Sequence, residues 1–138
     1  MKKNLAFLFL MTIFLAACAG TNSASLKDTS WELVSYGAIE NPILALPDVE
    51  AVIAFGADGN LTGNAGCNHF FGSYKVSKDQ LTVGPVGSTE MYCENAMDQE
   101  MAVLMLLNGT LTFESDGNTL TIFSEDGTSA LHLAHVEN

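Results

Sequence analysis

The sequence predicts an α+β fold, mostly antiparallel β, in which about eight short strands form a strongly bent sheet or partial barrel with one helix near residues 95–107. Three observations predict this fold. Short segments with a period of two in their apolar residues recur along the chain, turn sequences such as Asp-Gly separate them, and one later segment has helical length and periodicity.

The first predicted strand covers residues 30–36. Its alternation places Trp31, Leu33 and Ser35 on one side of the strand and Tyr36 on the other. We expect Trp31 to anchor the core. The other strands are predicted at 51–55, 61–63, 70–76, 81–83, 111–113, 120–123 and 130–133.

Asp-Gly pairs begin at residues 58, 116 and 126 and predict tight turns between strands. They could also be fragments of calcium loops, but they lack the alternating acidic ligands and terminal Glu of an EF-hand. A different kind of bend is predicted in the Gly-rich stretch 63–74, with Cys67 at a sharp corner.

The helix at 95–107 has Asn95 as its expected N-cap and Asn108-Gly109 as its stop. One predicted face is rich in methionine: it consists of Met97, Met101, Leu104 and Met105 and is widened by Val103 and Leu107. We expect this face to fill the core, and a pocket for a hydrophobic ligand is the alternative.

Residues 1–17 have the layout of a secretory signal peptide: Lys2-Lys3, then an apolar run from Leu5 to Leu15, then small residues. A buried core helix is the alternative. The run is too short for a comfortable membrane span, which needs about 20 apolar residues.

Leu15-Ala16-Ala17-Cys18 resembles the cleavage box of bacterial lipoproteins. The resemblance implies that Cys18 becomes the first mature residue and carries lipid such as palmitate. It also implies that Ala19 favours sorting to the outer membrane, facing the periplasm, with the cell surface as the alternative. An ordinary signal peptide with an incidental cysteine is the alternative. Residues 18–26 would then be the lipidated N-terminus and a flexible tether before a domain at 27–138.

The charge excludes some classes of partner. Removal of residues 1–17 leaves three lysines and no arginine against 16 acidic residues, a net charge of −13. Nucleic-acid binding depends on Lys and Arg contacts to phosphate, so we expect none. A basic protein or another envelope component fits this charge, although solubility alone would also explain it. We expect a monomer, attached to the membrane through its N-terminal lipid.

Lipidation of Cys18 leaves Cys67 and Cys93. An even number of cysteines in an oxidising compartment favours a disulfide between them, and two free buried thiols are the alternative.

Taken together, the motifs resemble the META-domain (HslJ-like) proteins of the bacterial envelope over residues 27–134. The residues that carry the likeness are Trp31-Glu32-Leu33, Phe55, Asp58-Gly59, Gly63, Gly66-Cys67-Asn68, Phe71-Gly72, Tyr74, Leu81, Thr89-Glu90-Met91, Cys93, Glu100 and Leu120-Thr121-Ile122. The resemblance implies a compact, mostly β envelope domain, associated in parts of the family with stress tolerance. It implies no catalytic residues.

Other groupings of polar residues are weak signals of chemistry. Cys67, His69, Cys93 and His132 could form a metal site, and Cys67 could be a nucleophile, but a structural disulfide beside a surface histidine explains them better. The carboxylate pairs Glu90/Glu94 and Asp98/Glu100 could do acid–base work if buried together, and we expect solvated faces instead. No metal, cofactor or catalytic residue is predicted, and the sequence identifies no ligand-binding residues.

Two functions remain open. The first is a non-enzymatic, lipid-anchored envelope domain with a structural or binding role in envelope integrity or stress tolerance. The alternative is a small periplasmic redox or ligand-binding protein that uses the Cys67/Cys93 pair or a Met-lined pocket.

Overall fold

A computed structural model describes residues 25–137 of the 138-residue chain. The predicted signal peptide, Cys18 and most of the tether therefore lie outside the described residues. Within the described part, the strands in chain order are β1 (Thr29–Ala38), β2 (Ile43–Leu44), β3 (Val52–Phe55), β4 (Asn60–Asn64), β5 (His69–Ser77), β6 (Gln80–Val83), β7 (Gly87–Ser88), β8 (Gly109–Ser115), β9 (Thr119–Phe123) and β10 (Ser129–Val136), with helix α1 (Met97–Leu106) between β7 and β8.

Eight of the strands close into a barrel. Each pairs antiparallel with the next in the order β1, β3, β4, β5, β6, β8, β9 and β10, and β10 pairs back onto β1. The two-residue strands β2 and β7 are additions that pair with β1 and β5. The mostly antiparallel fold with one helix is confirmed, and closure leaves the eight barrel strands joined into one ring.

Large apolar side chains fill the interior of the barrel. The largest of those that are almost completely buried are Trp31, Phe55, Phe70, Leu26, Ile53, Leu61, Leu81, Leu107, Leu111, Leu120, Ile122 and Leu131. Most come from alternate positions of successive strands, because every second side chain points to the same face of a sheet.

A bulge in β1 breaks the predicted alternation. The pairing with β10 steps from Leu33 to Ser35, so Val34 is an extra residue on the β1 side and is exposed. A bulge shifts the side chains beyond it, and Tyr36 is therefore buried next to Ser35 rather than on the opposite side. The prediction for Tyr36 was wrong for this reason.

The turns at the three Asp-Gly pairs are as predicted. Gly59, Gly117 and Gly127 have φ values of 85°, 93° and 68°, a region that glycine occupies without steric cost. In the second turn the Asp116 carboxylate accepts hydrogen bonds from the main-chain N–H groups of Asn118 and Thr119. These contacts hold the pKa of Asp116 below its ordinary value, and the bond from Thr119 has the largest effect.

Helix α1 covers the end of the barrel at which β4 turns into β5. Of the predicted face, Val103 and Leu107 are buried there as expected, but most of its methionine-rich centre is not. Its buried residues are Gln99, Glu100, Val103 and Leu106. Met101 and Met105 are exposed, the latter to 74%. Apolar residues occur on all sides of this helix, so periodicity alone could not identify the inner face.

The ends of α1 also differ in part from the prediction. Ala96 occupies the N-cap position and makes no side-chain capping bond, so the predicted cap at Asn95 was wrong. Gly109 follows the helix with a φ of 78°, in agreement with the predicted stop.

Candidate functional site

The corner between β4 and β5 is where the polar groups of the molecule converge. The Asn64 side chain accepts a hydrogen bond from Gly66 N–H at 2.7 Å and tightens the turn. Gly63 is required just before it, since a Cβ atom at this position would clash with the Val52 carbonyl oxygen. The turn delivers Cys67 and Asn68 to the underside of α1.

Cys67 and Cys93 form a disulfide, with their Cα atoms 5.8 Å apart. This distance is within the usual range for disulfides. The bond joins the β4–β5 corner to the segment that leads into α1, 26 residues later in the chain. The predicted pairing is confirmed.

Glu100 is a buried carboxylate, only 4% exposed, and was expected on a solvated face. It accepts hydrogen bonds from the main-chain N–H groups of Cys67 and Asn68 and from the side-chain amide of Asn68. Three donors compensate for the loss of water around a buried charge. Asp98, its predicted companion, is exposed, so the two do not form a buried pair.

The side chain of Asn68 uses all of its hydrogen-bonding capacity. Its Oδ1 accepts from Thr89 Oγ1 at 2.8 Å and from Met91 N–H at 2.7 Å. Its Nδ2 donates to the Met91 carbonyl oxygen at 3.0 Å and to Glu100 at 2.7 Å. One amide thus links the corner, the helix and the segment that precedes Cys93.

Gln99 adds a second polar link from the helix. Its Nε2 donates to the Ala65 carbonyl oxygen at 3.0 Å, and its Oε1 accepts from Leu46 N–H at 2.8 Å. The same helical turn therefore binds both the corner and the loop between β2 and β3. Within residues 25–137 no buried side-chain nitrogen or oxygen is left without a hydrogen-bond partner.

This arrangement, which we call the corner network (Cys67, Asn68, Cys93, Gln99 and Glu100), ties the β4–β5 corner to α1 and to the segment that precedes it. The cysteine sulfurs are bonded to each other, and the polar atoms of Asn68 and Gln99 are engaged in hydrogen bonds.

The corner network holds in place an exposed segment, Ser88–Glu94, which we call the braced segment. Met91 is 55% exposed and Tyr92 is 80% exposed, although the Met91 main chain is fixed by Asn68 and the adjacent Cys93 is fixed by the disulfide. Glu90 and Glu94 flank the two apolar side chains and are also exposed. Sequence reasoning placed Glu90 and Glu94 on the surface but did not identify this segment as rigidly held.

A groove on the surface lies away from the corner network. It has a volume of about 920 Å³, lies beside the β8–β9 hairpin and is lined by Lys78, Asp79, Thr112, Phe113, Glu114, Ser115, Asp116, Thr119, Thr121 and Phe123. Neither this groove nor a smaller one that touches Met105 is lined by a methionine stripe.

The histidines do not gather at the cysteines. His69 is exposed at the start of β5, and His132 lies in β10, where its Nδ1 is 3.3 Å from Thr121 Oγ1. Among the described residues, no group of three or more His, Cys, Asp or Glu side chains could hold a metal ion. The same part of the chain contains no helix with both the length and the apolar character that crossing a membrane requires.

Sequence reasoning missed the roles of Asn68, Gln99 and Glu100. One signal was available: Asp98, Gln99 and Glu100 are three consecutive polar residues near the start of an otherwise apolar helix, and together they span too wide an arc of the helix to share one solvent-facing side.

Comparison with known proteins agrees with this architecture. The model of the META domain family matches residues 24–137. Solved structures with a similar fold include the NMR structure of a protein from Burkholderia xenovorans (TM-score 0.68, 22% identity, 82% of this chain and 85% of that chain). A DUF4847 family protein from Bacteroides vulgatus is similar at a TM-score of 0.57 and 16% identity, over 80% of this chain and 94% of that chain. No curated protein matches the chain.

Proposed function

The chain belongs to the META domain family, and from that premise we propose that it is a non-enzymatic, lipid-anchored domain of the bacterial envelope that binds another envelope component through its braced segment. The observation that carries the proposal is the use of a disulfide and a saturated hydrogen-bond network to hold an exposed apolar pair, Met91 and Tyr92.

Rigid presentation favours binding for a thermodynamic reason. A flexible segment loses conformational entropy when a partner orders it, and that loss weakens the complex. In the braced segment most of that loss has already occurred during folding, because the Met91 main chain and Cys93 are both fixed. Exposed aromatic and methionine side chains are also enriched at the centres of protein interfaces.

The anchor is the second part of the proposal. Acylation of Cys18 after removal of residues 1–17 would place the domain at the outer membrane, with residues 18–26 as the tether. Several acyl chains give an anchor far firmer than a single chain. A disulfide between Cys67 and Cys93 fits an oxidising compartment of this kind.

The proposal is tested by fractionation and cross-linking in an envelope-forming bacterial host. The full chain should float with outer membranes, and Cys18→Ser should release it from them. A photo-crosslinker placed at Tyr92 should give a discrete adduct, whereas one placed at Glu114, an exposed β8 residue towards the other end of the barrel, should not. Identical membrane association of the Cys18→Ser chain together with equal cross-linking from both positions would refute the anchored binding domain.

A redox role for the cysteine pair is the competing function. It requires that the disulfide open and close during activity, which thiol trapping on the chain recovered from cells would detect. The burial of Cys67 and its disulfide across the β4–β5 corner support the scaffold instead.

A further inference from the structure

The braced segment continues the line of β7 along one edge of β5. In the β5–β7 pairing Phe71 is opposite Gly87 and Phe70 is opposite Ser88. The next residue, Thr89, donates its main-chain N–H to the His69 carbonyl oxygen at 3.0 Å. The segment therefore keeps the antiparallel register beyond the end of β7.

Beyond Thr89 the main chain of the segment pairs with the side chain of Asn68 instead of with the main chain of β5. It accepts from the N–H of Met91 and donates to its carbonyl oxygen, the two bonds that a neighbouring strand would have made. Thr89 and Met91 thus direct their main-chain groups towards β5.

The intervening residues must direct their main-chain groups the other way. Along a strand, the N–H and C=O groups of successive residues point alternately to the two sides. β7 itself ends at Ser88; continued in the same geometry, the segment places the main-chain groups of Ser88, Glu90 and Tyr92 on the outer edge, and no main-chain hydrogen bond from another residue in the range 25–137 reaches Glu90 or Tyr92. This is the row of open donors and acceptors that characterises an edge strand.

We propose that this edge, Ser88 to Tyr92, binds a partner protein by strand addition, in which an extended basic segment of the partner pairs with the main chain of Glu90 and Tyr92. Main-chain pairing gives such complexes their affinity, and the alternating side chains give them their specificity. The inference rests on the proposed function, because it takes the braced segment as the binding surface and names the chemistry of its partner.

The negative charge along this edge favours a basic partner strand over a second copy of the chain. Glu90 and Glu94 are both exposed at the braced segment, and the chain has neither lysine nor arginine after Lys78. A second copy paired through the same edge would bring these glutamates close to their own counterparts, and like charges across paired strands are destabilising. Lysine or arginine side chains at the matching positions of a partner strand would instead meet carboxylates.

The probe is a synthetic acetylated and amidated Lys-Val-Lys-Val-Lys-Val peptide, added to the full chain purified in detergent. Hydrogen exchange followed by NMR should show slower exchange at the Glu90 and Tyr92 amides and little change at Met91, whose N–H is already bonded. A peptide of the same sequence with N-methyl groups on alternate amides cannot pair along that side, and an isomer methylated on the other amides is its control. Only one of the two should bind.

Charge is tested separately. Glu-Val-Glu-Val-Glu-Val should fail to bind, and the double variant Glu90→Lys/Glu94→Lys should bind the lysine peptide about tenfold more weakly, since it replaces two exposed attractive charge pairs by repulsive ones. Glu114→Lys is the matched control, because it makes the same charge change at an exposed glutamate of β8 outside the braced segment, and it should bind nearly as the unaltered chain does.

Three outcomes overturn the inference: equal binding of both methylated isomers, no binding of the lysine peptide to the unaltered chain, or self-association that protects the same amides without any peptide. None of these outcomes bears on membrane release by Cys18→Ser or on cross-linking from Tyr92. Failure of strand addition is therefore distinguishable from failure of the anchored binding domain.

Discussion

The side-chain amide of Asn68 donates a hydrogen bond to the buried carboxylate of Glu100 at 2.7 Å. Asn68 lies at the β4–β5 corner and Glu100 lies in the only helix of the described residues, so this contact joins two parts of the chain separated by 32 positions. Through the same amide, Asn68 also holds Met91. Asn68 therefore links the helix that covers the end of the barrel to the braced segment.

Asn68→Asp should destabilise the fold by roughly 2–4 kcal/mol, because it replaces a buried donor by a second carboxylate oxygen facing Glu100 and the Met91 carbonyl. The free energy of unfolding in urea measures the loss. Asn95→Asp makes the same chemical change at an exposed residue and should stay within about 0.5 kcal/mol of the unaltered chain. Equal stability of the two variants would contradict the role assigned to the Asn68 amide.

Glu100→Gln should also destabilise the fold, by about 2 kcal/mol, since an amide nitrogen would replace one of two oxygens that face N–H donors. The braced segment should loosen with it, which hydrogen exchange at the Met91 amide would report as faster exchange. The control is Glu94→Gln, at an exposed glutamate. Unchanged exchange at Met91 in a destabilised Glu100→Gln chain would show that Glu100 supports the barrel but not the segment.

Tyr74 should make the stability of the protein sensitive to alkaline pH. Burial, then the negative charges of Asp58 and Asp28, raise the pKa of its hydroxyl above the ordinary value of 10.0. The unfolded chain therefore releases this proton first as the pH rises, so the stabilisation is complete below about pH 10 and is lost as the pH rises through the folded-state pKa.

Unfolding in urea at about pH 8 and about pH 11 tests this dependence. Tyr74→Phe should be less stable at the lower pH by about 1 kcal/mol, because it loses the hydrogen bond to the Gly56 carbonyl oxygen, and it should decline less between the two pH values. An equal decline in both proteins would show that Tyr74 does not contribute.

The barrel strands were largely predictable because alternation and turn residues are local signals. All eight predicted strands correspond to the eight barrel strands, and the Asp-Gly turns lie between them. The β1–β10 pairing that closes the barrel joins the two ends of the domain, and no local pattern encodes it. β2 and β7, with two residues each, are too short to produce a period.

The inner face of α1 could not be predicted from hydrophobicity, because polar contacts decide it. Gln99 and Glu100 turn inward to satisfy main-chain groups of Ala65, Cys67 and Asn68, and Met101 and Met105 are left outside. Those main-chain donors and acceptors exist only once the corner has formed, so the reason for the orientation of the helix lies some 30 residues away in the chain.

Thiol trapping tests most directly the claim that the Cys67–Cys93 bond is permanent scaffolding. The full chain is recovered from the cell envelope, denatured in an alkylating reagent without reductant, and analysed by mass, with a second sample reduced before alkylation. We predict that neither Cys67 nor Cys93 is labelled in the first sample and that both are labelled in the second, whatever the growth conditions. A fraction labelled without reductant that rises and falls with oxidant supply would contradict the scaffold and establish a redox function.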